Sequence, residues 1–221
     1  MDQLIRLLEQ HGFQRTSQPL THPLVVHAIA GAGKTSCLRD LARASNEFQI
    51  TTQGLPLARD LDSAGSGTNP DAAIFILDEY QAADSWENFD VLIGDPLQGP
   101  ERTYPNPHFT KARSFRFGRT TCALLQFLGI RAESDKEDQV VIRHPVGAEP
   151  EGQLIHLCSE GKNRFTQAGY SSLSPWEVLG ATFPTVTLLL EKRIKEYPPH
   201  EVYIACSRHC ERLVILTPNA S

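Results

Sequence analysis

The chain has 221 residues, of which 40% are hydrophobic and 21% charged, and a formal net charge of −5. That length holds one large domain or two small ones and buries an ordinary core. The acidic balance excludes a protein that coats nucleic acid by bulk electrostatics, while leaving room for a local basic groove.

No apolar run is long enough to span a bilayer. Five scattered cysteines point to reduced thiols rather than a disulfide framework. The opening Met1–Gln10 carries acids where a secretory leader needs a basic region, so residues 2–12 read as an amphipathic helix closed by Gly12.

Pro23–His27 is an apolar run that reads as a buried strand. It is followed by the small-residue loop Ala28–Thr35 and by Ser36–Arg43, whose leucines recur at helical spacing. Further strands are expected at Phe48–Thr51, Ile74–Leu77 and Val91–Ile93. Others are expected at Val140–Ile142, Leu154–Leu157, Val186–Leu190, Val202–Ala205 and Leu213–Leu216. Arg119–Ile130 reads as a helix ending at Gly129. Gly54–Asp71, Gly99–His108 and Arg143–Gly152 are rich in Gly, Pro and polar residues and read as loops. Short continuous apolar strands alternating with helices predict an α/β class with mainly parallel sheets.

Three segments carry chemistry. The loop ending in Gly33-Lys34-Thr35, between a strand and a helix, is a phosphate cradle. Its backbone N–H groups and the helix N-terminus face an anion, with Gly31, Ala32, Gly33, Lys34, Thr35 and Ser36 as the nucleotide-binding residues. Lys34 adds a positive charge, and the Thr35 hydroxyl is placed for Mg²⁺. The alternative is a glycine turn with a surface lysine; Ala28 stands where the pattern usually begins with Gly. Behind Ile74–Leu77 come Asp78 and Glu79. Asp78 is suited to coordinate Mg²⁺ and Glu79 to deprotonate an attacking water. Gly94-Asp95-Pro96-Leu97-Gln98 follows another strand. It reads either as an Asp-Pro turn or as a γ-phosphate sensor built on the Gln98 amide.

In this order and spacing the three segments resemble the superfamily 1 helicases. Ser114-Phe115-Arg116 resembles the arginine motif opening the second helicase domain. Glu177–Val186, with its Gly180-Ala181-Thr182-Phe183 core, resembles the next motif. Tyr203–Leu213 resembles the last, with Arg208 at the arginine-finger position. The opening Gly12–Thr16, the Leu24–Lys34 stretch and Ile76-Leu77-Asp78-Glu79-Tyr80 further resemble the triple-gene-block movement-protein family of potexviruses and carlaviruses. That resemblance implies an RNA-stimulated, ATP- and Mg²⁺-dependent ATPase that moves viral RNA between plant cells and suppresses RNA silencing. It implies residence in the host cytoplasm, at plasmodesmata or in inclusions. It also implies self-association and contact with coat protein and other movement proteins.

The expected architecture is two RecA-like lobes, 1–112 with the phosphate loop and 113–221 with the arginine fingers Arg116 and Arg208, and a nucleotide site in the cleft between them. Arg208 is expected to follow a strand ending at Ala205 and to reach a ligand at that strand's carboxyl end. Thr51, Thr52 and Thr182 are candidate contacts to single-stranded RNA, against ordinary strand-end capping. Tyr80, Trp86, Tyr104 and Phe109 are either core residues or base-stacking ones. The clusters Lys111/Arg113/Arg116/Arg119 and Lys192/Arg193/Lys195 are either functional basic patches or solvated faces. Cys206, His209 and Cys210 supply one ligand too few for a structural zinc. The rival function is an RNA- and protein-binding assembly factor, with residual or regulatory ATPase and no unwinding.

Overall fold

A computed structural model describes residues 1–53 and 72–219. The Gly54–Asp71 loop reading lies outside the described residues. The chain divides into two compact units, Met1–Ala112 and Arg113–Ser221. Each is an α/β unit with a mainly parallel sheet.

Among its described residues the first unit contains α1 (Asp2–Gln10), β1 (Gln14–Arg15), β2 (Leu24–Ala28), α2 (Lys34–Ala44), β3 (Phe48–Thr52), β4 (Ile74–Asp78), β5 (Val91–Gly94) and β6 (Phe109–Lys111). The sheet order is β1-β6-β2-β5-β4-β3, parallel throughout except for the antiparallel β1–β6 pair. The central strands β2 and β5 are almost wholly buried, as strands covered on both faces must be. The edge strand β3 is only partly buried. Leu4 and Leu8 lie one turn apart on α1 and are fully buried, each contributing about 1.5–3 kcal/mol. His11 Nε2 meets Asp40 Oδ2 of α2 at 3.1 Å, fixing α1 against that helix.

The second unit contains α3 (Arg119–Phe127), β7 (Gln139–Arg143), β8 (Gln153–His156), α4 (Ser159–Gln167), β9 (Phe183–Leu189), α5 (Pro199–Cys206) and β10 (His209–Leu216). Its sheet runs β7-β10-β9-β8, all parallel, with Leu213–Leu216 of β10 buried between β9 and β7.

Several elements differ from expectation. Val202–Ala205 is the buried body of helix α5, not a strand. Its four residues are buried on all sides, and a short apolar run has no period to separate the two forms. Pro199 at the first helical turn was the available signal. Arg208 therefore follows a helix and stands at the amino end of β10, not at a strand's carboxyl end. Helix α4 was hidden by its polarity, since only Gly161 and Phe165 are buried. Strand β6 falls just beyond the Pro-rich Gly99–His108 loop and is only three residues long.

Candidate functional site

In the first unit β2, β5 and β4 are adjacent and parallel, so the loops after Ala28, Asp78 and Gly94 emerge at the same edge of the sheet. Topology thus brings together the three segments that the sequence singles out.

Gly31 and Gly33 take φ of 74° and 91°, a left-handed region that costs glycine little. They turn the chain from β2 into α2. Gly33 caps that helix without a side-chain hydrogen bond, leaving its first N–H groups for an anion. Lys34 is buried. Its Nζ donates to the Ala28 carbonyl at 3.2 Å and lies 3.7 Å from Glu79 Oε1.

Asp78 is 3% exposed. Its Oδ2 accepts from Thr52 Oγ1 at 3.3 Å, and its Oδ1 is buried with no hydrogen-bond partner. Burial, reinforced by the Glu79 charge, pushes this carboxyl up to about 7, against the opposing pull of Lys34, the Thr52 hydroxyl and the Glu79 backbone N–H. A buried carboxylate oxygen without a donor is costly unless a cation meets it. An oxygen-rich site beside a phosphate loop suits Mg²⁺, so Asp78 and the Thr35 hydroxyl fit that ion.

Glu79 has φ 55°, an uncommon conformation for a non-glycine residue that costs about 1 kcal/mol or more. Gln81 holds it, donating from Nε2 to Glu79 Oε2 while its Oε1 accepts from the Asp95 N–H at 3.1 Å. Arg102 fixes the same turn by donating to the carbonyls of Gln81 and Ala83 at 2.9 and 2.8 Å. Its guanidinium also stacks over Trp86 and Tyr104, at 4.7 and 5.1 Å from the ring centroids. Gly94 is required for this closeness, because a Cβ there would stand 2.2 Å from Gln81 Oε1. The Gln98 amide donates to Asp95 Oδ2 at 2.7 Å, so Asp95 anchors the residue read as a phosphate sensor.

Sequence reasoning missed Gln81 and Arg102. Gln81 stands two residues beyond Glu79, where a polar residue in a helical turn drew no notice. Arg102 sits in the Gly99–His108 loop two residues before Tyr104, and only the aromatic character of Trp86 and Tyr104 hinted at a cation. Tyr80 and Phe109 are fully buried core residues. Tyr80 stacks against His27, which it meets at 2.6 Å, and packs edge-on to Trp86 and Tyr104. Thr52 is drawn to Asp78, whereas Thr51 and Thr182 are exposed.

In the second unit the three C-terminal motifs converge. Arg116 Nη1 donates to the Ser207 carbonyl at 3.3 Å, and Arg208 Nη2 to Ser207 Oγ at 3.0 Å. Arg208 is 1% exposed, and its carbonyl accepts from the Phe183 N–H at 2.9 Å. The first basic cluster is split: Arg113 and Arg119 are exposed, as on a solvated face, whereas Lys111 is not. Lys111 is buried in the first unit and donates to the His11 carbonyl, while in the second Arg113 pairs with Asp135 and Arg119 with Glu137. In the second cluster Lys192 lies over Tyr197 and Lys195 over Phe127. Among the described residues no group of three or more His, Cys, Asp or Glu could hold a metal. Nor is any helix among them long and apolar enough to cross a membrane.

The viral superfamily 1 RNA helicase core domain matches residues 24–217. The chain belongs to this family. Within it, the chain is 39% identical to the movement and silencing protein TGBp1 of Lily virus X, over 92% of this chain and 94% of that protein. It is 38% identical to the TGBp1 of Chrysanthemum virus B, over 100% and 98%. These similarities place the chain in the TGBp1 family within the viral superfamily 1 RNA helicases.

Among solved structures, the arterivirus nonstructural protein 10 helicase in complex with DNA matches with a TM-score of 0.53 at 17% identity, over 99% of this chain and 58% of that one. The PRRSV helicase matches with a TM-score of 0.52 at 15% identity, over 99% and 50%. The chain therefore spans 58% of the first helicase and 50% of the second, and the likeness is one of fold.

Proposed function

We propose that this superfamily 1 protein is an RNA-stimulated ATPase that binds single-stranded viral RNA and serves its passage between host cells. The observation that carries the reading is the buried, donorless Oδ1 of Asp78, beside the Lys34–Glu79 pair and the uncapped N-terminus of α2. These groups have an unmet demand for a cation and for a phosphate at one sheet edge.

The β- and γ-phosphates of ATP lie on the Gly31–Ser36 backbone, and Lys34 leaves Glu79 to meet their charge. Thr35 and Asp78 would hold Mg²⁺, which would supply positive charge against the phosphates. Glu79, held by Gln81, takes a proton from the attacking water. The water oxygen bonds to the γ-phosphorus as the bridging P–O bond breaks, and ADP keeps that bond's electron pair. Gln98 orients the water or the γ-phosphoryl group. Arg116 and Arg208 supply guanidinium charge to the equatorial oxygens in the transition state, an effect of about 10³–10⁵ where arginine fingers are well studied. Thr51 and Thr182 contact RNA, whereas Thr52 serves Asp78. Self-association and binding of coat protein and other movement proteins complete the role, in the host cytoplasm, at plasmodesmata or in inclusions.

Steady-state ATP turnover with and without single-stranded RNA, for wild type and Lys34→Ala, tests the reading. RNA-stimulated turnover abolished by the substitution is expected; equal turnover in both proteins overturns it. One observation favours the assembly-factor rival for strand separation. Arg113 and Arg119 form exposed ion pairs with Asp135 and Glu137, which offset part of the charge a nucleic-acid track would use. RNA binding without stimulated turnover would select that rival.

A further inference from the structure

Asp138 is a fully buried carboxylate in the second unit. Its Oδ2 accepts from the Gly118 N–H at 2.8 Å and from His209 Nε2 at 3.1 Å. Its Oδ1 accepts from the Thr120 and Thr121 N–H groups at 2.9 and 3.3 Å. The Asp138 carbonyl accepts from Thr120 Oγ1 at 3.0 Å, and Thr121 Oγ1 lies 3.0 Å from His209 Nε2. Burial alone would raise this carboxyl. The hydrogen bonds from His209, Thr121 and Gly118 override it and hold the group well below the usual carboxylate range.

The chain positions of these donors give the cluster its meaning. Gly118 is the cap residue of α3 and has no side chain with which to cap it. Asp138 performs that task from twenty residues away, meeting the positive end of the helix with a full negative charge. Gly118 lies two residues after Arg116, and His209 is the residue directly after Arg208. One carboxylate thus ties down both arginine-bearing segments, and the two guanidiniums meet again at Ser207. The approach is tight, since a Cβ on Gly118 would stand 2.6 Å from backbone atoms of Lys136, Glu137 and Asp138.

We propose that Asp138 and His209 are positioning residues for catalysis. Their buried pair holds Arg116 and Arg208 in register with each other, so that both guanidiniums act on one phosphoryl group. The proposal rests on the ATPase reading above. A displacement of about 1 Å in such groups costs about 10²-fold in rate.

The test uses full-length wild type, His209→Ala, His209→Gln and Asp138→Asn, with Arg116→Ala and Arg208→Ala as benchmarks. Turnover, nucleotide affinity and hydrogen exchange at the Gly118–Thr121 amides are measured together. His209→Ala and Asp138→Asn are expected to keep nucleotide affinity within about threefold, lose turnover by about 10- to 100-fold, and expose those amides. Gln places a donor near the reach of Nε2, so His209→Gln should recover most of the turnover. A merely structural role would lower thermal stability and the active fraction, without changing turnover per nucleotide-binding site. If His209→Ala does not fold, Thr121→Val removes only the hydroxyl beside Nε2, and a drop in turnover at unchanged affinity is expected of it too.

Folded variants with unprotected amides and wild-type turnover per site overturn the inference. So does failure of His209→Gln to exceed His209→Ala. Wild-type turnover in both Arg116→Ala and Arg208→Ala instead overturns the roles assigned to the arginines, a distinct failure that takes the inference with it.

Discussion

Two buried carboxylates, one in each unit, are treated in opposite ways. In the first, Asp78 keeps an oxygen with no donor, Lys34 turns back onto Ala28 and Glu79, and α2 begins without a side-chain cap. In the second, Asp138 is saturated by four hydrogen bonds from Gly118, Thr120, Thr121 and His209, and α3 is capped by it. Unmet demand marks a place built to receive something, because an unpartnered buried charge is retained only at a cost. Full satisfaction marks a frame built to hold something still. The contrast fits the proposal that the first unit binds and the second orients.

The largest effect that could break this comparison comes from Lys34→Ala. It removes the cation nearest the expected phosphates, and turnover should fall at least about 10³-fold with weaker nucleotide affinity. Thermal melting should change little. Unaltered turnover would make the donorless Asp78 oxygen a structural oddity. Next in size is Glu79→Gln, which keeps the shape but loses the base. Turnover should fall about 10²-fold at preserved nucleotide affinity. A collapse of affinity with rate at saturation intact would assign Glu79 to holding Lys34 alone.

Arg208→Lys sharpens the comparison from the other side. The guanidinium is buried and donates to Ile204 O and Ser207 Oγ. Lysine retains the charge but not the planar fork. Turnover should drop about tenfold or more, and the melting temperature should fall as well, a loss not expected of Lys34→Ala. Retained stability in this variant would mean that the second unit is less committed to holding its arginine than its hydrogen bonds indicate.

Legibility followed the same divide. The meeting of the first unit's three segments could be read from sequence because each follows directly on a buried strand, and parallel pairing places strand ends together. Ala28, Asp78 and Gly94 needed only adjacency of β2, β4 and β5 to meet. The arginine motifs were legible as resemblance, but the positional argument for Arg208 was wrong, since Val202–Ala205 is helical. Burial on all sides erases the period that would separate helix from strand. Asp138 and Gln81 were illegible for another reason. Their roles depend on backbone N–H groups supplied by distant or newly turned chain, and a donor without a side chain leaves no mark in the sequence.

The smallest effect concerns the join between β2 and the Glu79 turn, where His27 meets Tyr80. Burial pushes the His27 imidazole down from 6.5 to about 4, so the folded protein keeps it neutral. An unfolded chain takes up that proton near pH 6.5, whereas the folded one resists until about pH 4. Stability from this group is therefore fully present above pH 6.5 and is lost as pH falls toward 4. Between pH 7 and 5.5 the loss is about 1 kcal/mol, enough to lower the melting temperature by about 2–4 °C for a chain of this size. His108 and His156 are also shifted down by burial and add to the slope, so the comparison must be made by difference. His27→Gln keeps a polar partner for the Tyr80 hydroxyl but cannot titrate. Its melting temperature should fall less than that of wild type over the same pH interval. Parallel melting curves against pH for the two proteins would mean that His27 is free to protonate in the fold, and that the buried polar contact beside the phosphate loop is looser than its 2.6 Å separation implies.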